Sequence, residues 1–163
     1  MKELKRAGRW SGLVLIAMLA LLTTGCRFNF SSGSVGEPIE LTDREKNAAF
    51  TAEMRVLDDV DVNRFAKVWD DSAPALKKAM GRGAFVRQGD MIRKLVPPGY
   101  RRMVAQGRFH SAARNWPEGR YATFVNQLSC FEATCTEQVV MMQVDGDWRL
   151  AGYFVHKRKT FRP

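Results

Sequence analysis

The chain has little of what most enzymes use. Two histidines and three cysteines are spread over 163 residues. Neither His110 nor His156 lies near a serine or cysteine in a nucleophile motif, which removes the triad chemistry of hydrolases. A glycine-rich phosphate loop is missing, because Gly81 and Gly83 are not followed by a Lys-Ser/Thr ending. No cluster of Lys and Arg interleaves with aromatics as in a nucleic-acid motif, so nucleic acid is not an expected partner. Histidine and cysteine are too sparse for a zinc site. "DDVDVNRF", from Asp58, alternates Asp59, Asp61 and Asn63 as a calcium loop does, with Asp70 at the twelfth place. Arg64 stands where such a loop needs glycine, and Phe65, Val68 and Trp69 keep helical spacing through it. The plainer reading makes Asp61 the cap of a following helix. No metal and no cofactor are expected. Long hydrophobic runs are also lacking: the apolar stretch from Trp10 to Leu22 falls short of the roughly 20 residues a membrane helix needs.

What is present begins with that stretch. "MKELKRAGRW" is basic, the apolar run follows, and small residues precede Cys26. This is the order of a secretory signal, and residues 1–25 are expected to be removed. "TTGC" resembles the lipobox of bacterial lipoproteins, whose cysteine is lipidated. Gly25 fits that pattern, while Thr23 stands where Leu is usual and Leu22 sits one place early. The resemblance implies lipidation of Cys26. With Arg27 behind it, no inner-membrane retention signal follows, so the implied location is the periplasmic side of the outer membrane. Without lipidation the chain would be secreted. Residues 26–41, with "SSGSVGEP", read as a flexible tether. Residues 1–25 carry +3 of the chain's net +9, which leaves +6 on the mature part. That balance favours anionic surfaces as neighbours of an exported protein.

Residues 42–163 suit a single domain. "TDRE" from Thr42 is a capping box, and Ala49, Phe50, Met54, Leu57 and Val60 make an apolar helical stripe. Shorter helical segments carry Phe65, Val68 and Trp69, then "SAPALKKAM", then Phe85 to Leu95, with Gly83 and Gly89 weakening the last. After Pro97, Pro98 and Gly99 the pattern turns to strands over 101–113, 119–131, 135–144 and 147–156. "VDGD" is a two-residue hairpin signal. Helices first and strands afterwards predict an α+β fold: N-terminal helices on one face of a curved four-stranded antiparallel meander.

Pairing Val144 with Asp147 sets Met141 opposite Leu150, Val139 opposite Gly152 and Glu137 opposite Phe154. A tight turn at Glu132 and Ala133 sets Cys130 opposite Cys135, Leu128 opposite Glu137 and Asn126 opposite Val139. Phe124, Leu128, Val139, Met141, Trp148, Leu150 and Phe154 then face the helices. Thr123, Val125, Gln127, Gln138, Val140, Arg149 and Tyr153 face away. Cys130 and Cys135 form a disulfide in an oxidising compartment. Two polar residues, Asn126 and Glu137, fall on the otherwise apolar face, and burial would raise the pKa of Glu137 as a general base requires. Its alternative role is a carboxylate satisfied by an arginine or by backbone amides, holding helices to sheet.

"DGDWRLAGYFV", with "TEQVV" before it, "RYATFVNQL" after the Pro-Glu-Gly loop and "WDDSAPALKKAM" in the helical half, resembles domain of unknown function family 4019, a family of exported bacterial proteins. The likeness spans roughly residues 48–156. It implies a cone-shaped fold like that of nuclear transport factor 2, and no activity; the Cys130–Cys135 pair departs from the family's usual pattern. Three functions stay open. The first is a binding or structural module, with a small apolar ligand at Phe124, Asn126, Glu137, Trp148 and Phe154 or none. The second is an isomerase- or dehydratase-like enzyme with Glu137 as base. The third is a module docking a protein on Gln127, Gln138 and Tyr153.

Overall fold

The computed structural model describes residues 36–96, 100–103, 107–112, 116–130 and 133–157. The expected signal segment, Cys26 and the basic residues from 158 onward lie outside the described residues. Among the described residues four helices come first: α1 (Asp43–Asp61), α2 (Phe65–Asp70), α3 (Pro74–Ala79) and α4 (Arg82–Leu95). Five described strands follow: β1 (Arg102–Met103), β2 (Arg108–Ser111), β3 (Arg120–Cys130), β4 (Ala133–Val144) and β5 (Asp147–Lys157). They form one curved, open antiparallel sheet in the order β1-β3-β4-β5, with β2 also paired to β3. The α+β class predicted from the sequence is the class observed.

The capping box starts α1 as expected. Thr42 accepts from the Glu45 amide at 3.3 Å, and the Glu45 carboxylate accepts from the Thr42 amide at 2.8 Å. That amide, the Thr42 hydroxyl and Arg120 hold Glu45 down at about 2. The buried stripe of α1 is Ala49, Glu53, Leu57 and Val60, so one of its members is an acid. Pro74 opens α3, where its missing N–H costs nothing. Asp61 caps no helix: α2 begins after Arg64 with no side-chain cap, and Asp61 turns instead toward the sheet. The calcium-like spacing is also otherwise engaged, since Asp59 bonds Lys67 and Asp70 bonds Arg82.

The predicted tether ends earlier than expected. Ile39 donates to the Phe109 carbonyl, Ser111 donates to the Glu37 carbonyl, and Leu41 is buried. Residues 37–41 therefore strap the free edge of β2, one of the ways proteins blunt an open edge. At the far edge of the sheet, Ala73 donates to the Leu150 carbonyl and Gln88 to the Tyr153 carbonyl. The helical half thus covers β5 through backbone groups as well as by packing.

The first predicted strand, 101–113, is two strands. β1 pairs Arg102 with Leu128, whereas β2 pairs Arg108 with Thr123, so one extra residue is absorbed between them. The Asp-Gly hairpin is as expected, with positive φ at Asp145 (52°) and Gly146 (88°). Val144 faces Asp147 and Met141 faces Leu150. Beyond that point the register departs: Val140 faces Gly152, Val139 faces Tyr153 and Glu137 faces Val155. A bulge between Val140 and Met141 adds a residue on β5, and one extra residue exchanges the two faces for everything after it. Tyr153 therefore points at the helices, 3% exposed, and Phe154 takes the other face, stacked on His156. Both had been assigned to the opposite sides.

β3 and β4 also pair two residues away from the expected register. Cys130 faces Ala133, Leu128 faces Cys135 and Asn126 faces Glu137. With Cys130 paired to Ala133 and Cys135 to Leu128, the cysteines are diagonal neighbours rather than opposed ones. They are nonetheless joined, with Cα atoms 5.8 Å apart. A slip of two keeps every residue on its face, which is why Phe124, Leu128, Val139, Met141, Trp148 and Leu150 all meet the helices as predicted.

Candidate functional site

The helix-facing side of the sheet is apolar except at one place. Asn126 on β3 and Glu137 on β4 stand directly opposite, both fully buried. β1 brings Arg102 beside them, because its partner Leu128 lies on the same face. The bulge turns Tyr153 of β5 inward, and α1 lowers Glu53 onto the group from above. Five elements thus converge on one polar cluster inside a hydrocarbon core.

Glu137 is at its centre. Its Oε2 accepts from Arg102 Nε at 2.7 Å and from Asn126 Nδ2 at 3.1 Å. Its Oε1 accepts from Arg102 Nη2 at 3.1 Å and from the Tyr153 hydroxyl at 2.8 Å. Arg102 then reaches outward to Asp61, with Nη1 and Nη2 donating at 3.0 and 2.8 Å. The Tyr100 hydroxyl donates to Asp61 and accepts from Arg102. Only the Asp61 end touches water: the Arg102 side chain is 10% exposed and that of Asp61 39%. Burying a carboxylate is costly unless charge and hydrogen bonds replace its hydration, and here both do.

The titrations follow from this packing. Burial and then the Glu137 carboxylate push the Tyr153 hydroxyl far above the usual phenol range. Burial alone would ease the proton off Arg102, but its bonds to Asp61 and Glu137 outweigh that and raise it. Glu53 is the exception in the cluster. Its Oε1 accepts from Asn126 Nδ2 at 2.9 Å, while Oε2 has no partner among the described residues. Burial raises the Glu53 carboxyl to about 7; the Asn126 bond opposes the rise and the nearby Glu137 adds to it.

Of the residues read as a pocket, Asn126 and Glu137 are in the cluster, Phe124 is a core side chain two residues along β3 from Asn126, Trp148 is a core side chain at the other end of β5, opposite Gln143, and Phe154 is on the far face. Of those read as a docking face, Gln127 is exposed and Gln138 half-buried, while Tyr153 belongs to the cluster. That outer face is drier than expected. His110 stacks on Tyr121 at 5.9 Å and meets the Thr123 hydroxyl at 2.9 Å, and all three are buried. A cleft of about 170 Å³ lies between α1, α2 and β5, floored by Val56, Val68, Trp148 and Leu150 with Lys67 at its rim. Neither Glu53 nor Glu137 lines it.

Sequence reasoning missed Glu53, Arg102, Asp61 and Tyr100. Glu53 had a signal, since it sits four residues after Ala49 and four before Leu57, on the apolar stripe itself. Arg102 had none, because its position depends on the residue absorbed between β1 and β2.

The family model for a protein of unknown function, DUF4019, matches residues 52–153. The chain belongs to the DUF4019 family. The matched span opens one residue before Glu53 and closes on Tyr153, so it contains the entire cluster. No curated protein and no solved structure matches the chain.

Proposed function

We propose that this DUF4019 protein is an exported module, held by a lipid on Cys26 at the periplasmic face of the outer membrane, whose folded part binds or braces rather than catalyses. The observation that carries the non-enzymatic reading is the saturation of Glu137. The acid that sequence reasoning offered as a general base accepts four hydrogen bonds from Arg102, Tyr153 and Asn126. A base needs a lone pair aimed at a substrate proton, and each oxygen of this one is already engaged twice. We read it instead as the carboxylate satisfied by an arginine, with partners on β1, β3 and β5 rather than on a helix. The basic-then-apolar N-terminus and the paired cysteines support export. We read the curved sheet under its helices as related to the nuclear transport factor 2 arrangement. A small apolar ligand, if the module takes one, fits the cleft beside Trp148 better than the filled polar cluster. A docked protein would use Gln127 and Gln138 without Tyr153.

The test is expression of the full chain and of Cys26→Ser in a Gram-negative host, followed by detergent-phase partition and outer-membrane fractionation. The wild type is expected in the detergent phase and the outer membrane, and the variant in the aqueous periplasmic fraction. Identical partition of the two would overturn the anchor. Recovery of both in the cytoplasm would overturn export.

A further inference from the structure

We propose that Glu53 is a buried proton-binding site that latches α1 to the sheet, neutral when its proton is on and an uncompensated anion beneath the helix when it is off. The side chain is fully buried, and among the described residues its one hydrogen bond comes from Asn126 Nδ2. That same nitrogen spends its other hydrogen on Glu137. One amide therefore serves two carboxyl groups, and Oε2 of Glu53 has no partner among the described residues.

The groups around it come from each packed strand. β3 offers Asn126, β4 offers Glu137, β5 offers the Tyr153 hydroxyl already given to Glu137, and β1 offers Arg102. Arg102 is the cation of the cluster, and its donors are divided between Glu137 and Asp61. Glu137 and Asp61 together already exceed it in charge, so although Arg102 acts on Glu53 from a distance, a second buried anion there has no ion-pair partner of its own among the described residues. An unpaired neutral hydroxyl costs far less in such surroundings than an unpaired carboxylate, so the proton is the ligand this geometry selects.

The consequence for stability has a definite sign. Burial lifts the folded-state carboxyl from 4.5 to about 7. Below 4.5 the folded and unfolded chains both hold the proton, and the full stabilisation is present. Between 4.5 and about 7 only the folded chain holds it, so stability falls as pH rises. Above about 7 both have lost it and the decline ends.

The deciding experiment is a carbon-13 NMR titration of the glutamate side-chain carboxyls, assigned through bonds from the backbone in the wild-type chain. Urea denaturation across the same pH range accompanies it, for wild type and Glu53→Gln. The Glu53 carbon is expected to titrate near 7 rather than near 4.5. Wild-type stability should decline across that window, while Glu53→Gln, which stays neutral and keeps the bond from Asn126, should lack the Glu53 part of the decline. A Glu53 midpoint in the ordinary carboxylate range overturns the proposal. So do parallel pH profiles for the two proteins, which is what a plain structural contact would give. Should the variant fail to fold, the wild-type titration decides alone.

Discussion

At the scale of single residues, the tension in this protein is between two glutamates a few ångströms apart with opposite circumstances. Glu137 accepts four hydrogen bonds, whereas among the described residues Glu53 accepts one, from half of an asparagine amide. The difference comes from who reached Arg102 first. Because Glu137 replaces its hydration fully, removing it strands three partners: a 10%-exposed guanidinium, the Tyr153 hydroxyl and an Asn126 hydrogen. Glu137→Ala should therefore cost about 3–5 kcal/mol, the range for breaking a buried ion pair, read as a lower urea midpoint with unchanged slope. Glu137→Gln keeps an acceptor for Tyr153 and should lose less. Asn126 and Glu137 were legible as inward-facing because strand alternation fixes faces. That they touch was not, because contact depends on register.

At the scale of elements, two glycines in α4 separate local propensity from packing. Both weaken a helix by similar amounts in isolation. A Cβ on Gly83 would meet only the flexible tip of Arg87 at 3.4 Å, whereas one on Gly89 would sit 2.3 Å from the Phe65 ring of α2. Gly83→Ala should stabilise by about 0.5 kcal/mol through propensity. Gly89→Ala should destabilise by about 1–3 kcal/mol through overpacking, since Phe65 is itself wedged against Phe85 and Tyr153. Thermal melts of the two variants, moving in opposite directions, would check this. The bulge on β5 is the other decision made at this scale. Gly152 was the sequence sign of it, for the Phe154 ring lies 2.8 Å from where its Cβ would be. Alternation read straight through the glycine gave the wrong faces to both aromatics that follow.

At the scale of the whole molecule, residues 37–41 strap β2 on one side of the sheet, and Ala73 and Gln88 hold β5 on the other. The disulfide tightens the β3–β4 hairpin end over a separation of only five residues. A loop so short limits what it adds, and reduction should lower unfolding free energy by about 2 kcal/mol with the fold retained. Denaturation with and without reductant measures this; loss of the fold on reduction would mean that the hairpin, and not the α1–sheet core, carries the domain.

What the sequence determined by itself was whatever depends on local chemistry and on period: the capping box at Thr42, the Asp-Gly hairpin, helices before strands, and the side of the sheet taken by Phe124, Val139 and Leu150. Water sorts these one residue at a time, so they survive a slip of two in register. Only the tertiary structure decided which polar groups share the core. A one-residue bulge brought in Tyr153, an absorbed residue between β1 and β2 brought in Arg102, and the descent of α1 brought in Glu53. Their meeting is set by hydrogen-bond geometry across five elements, and no stretch of sequence holds more than two of its members.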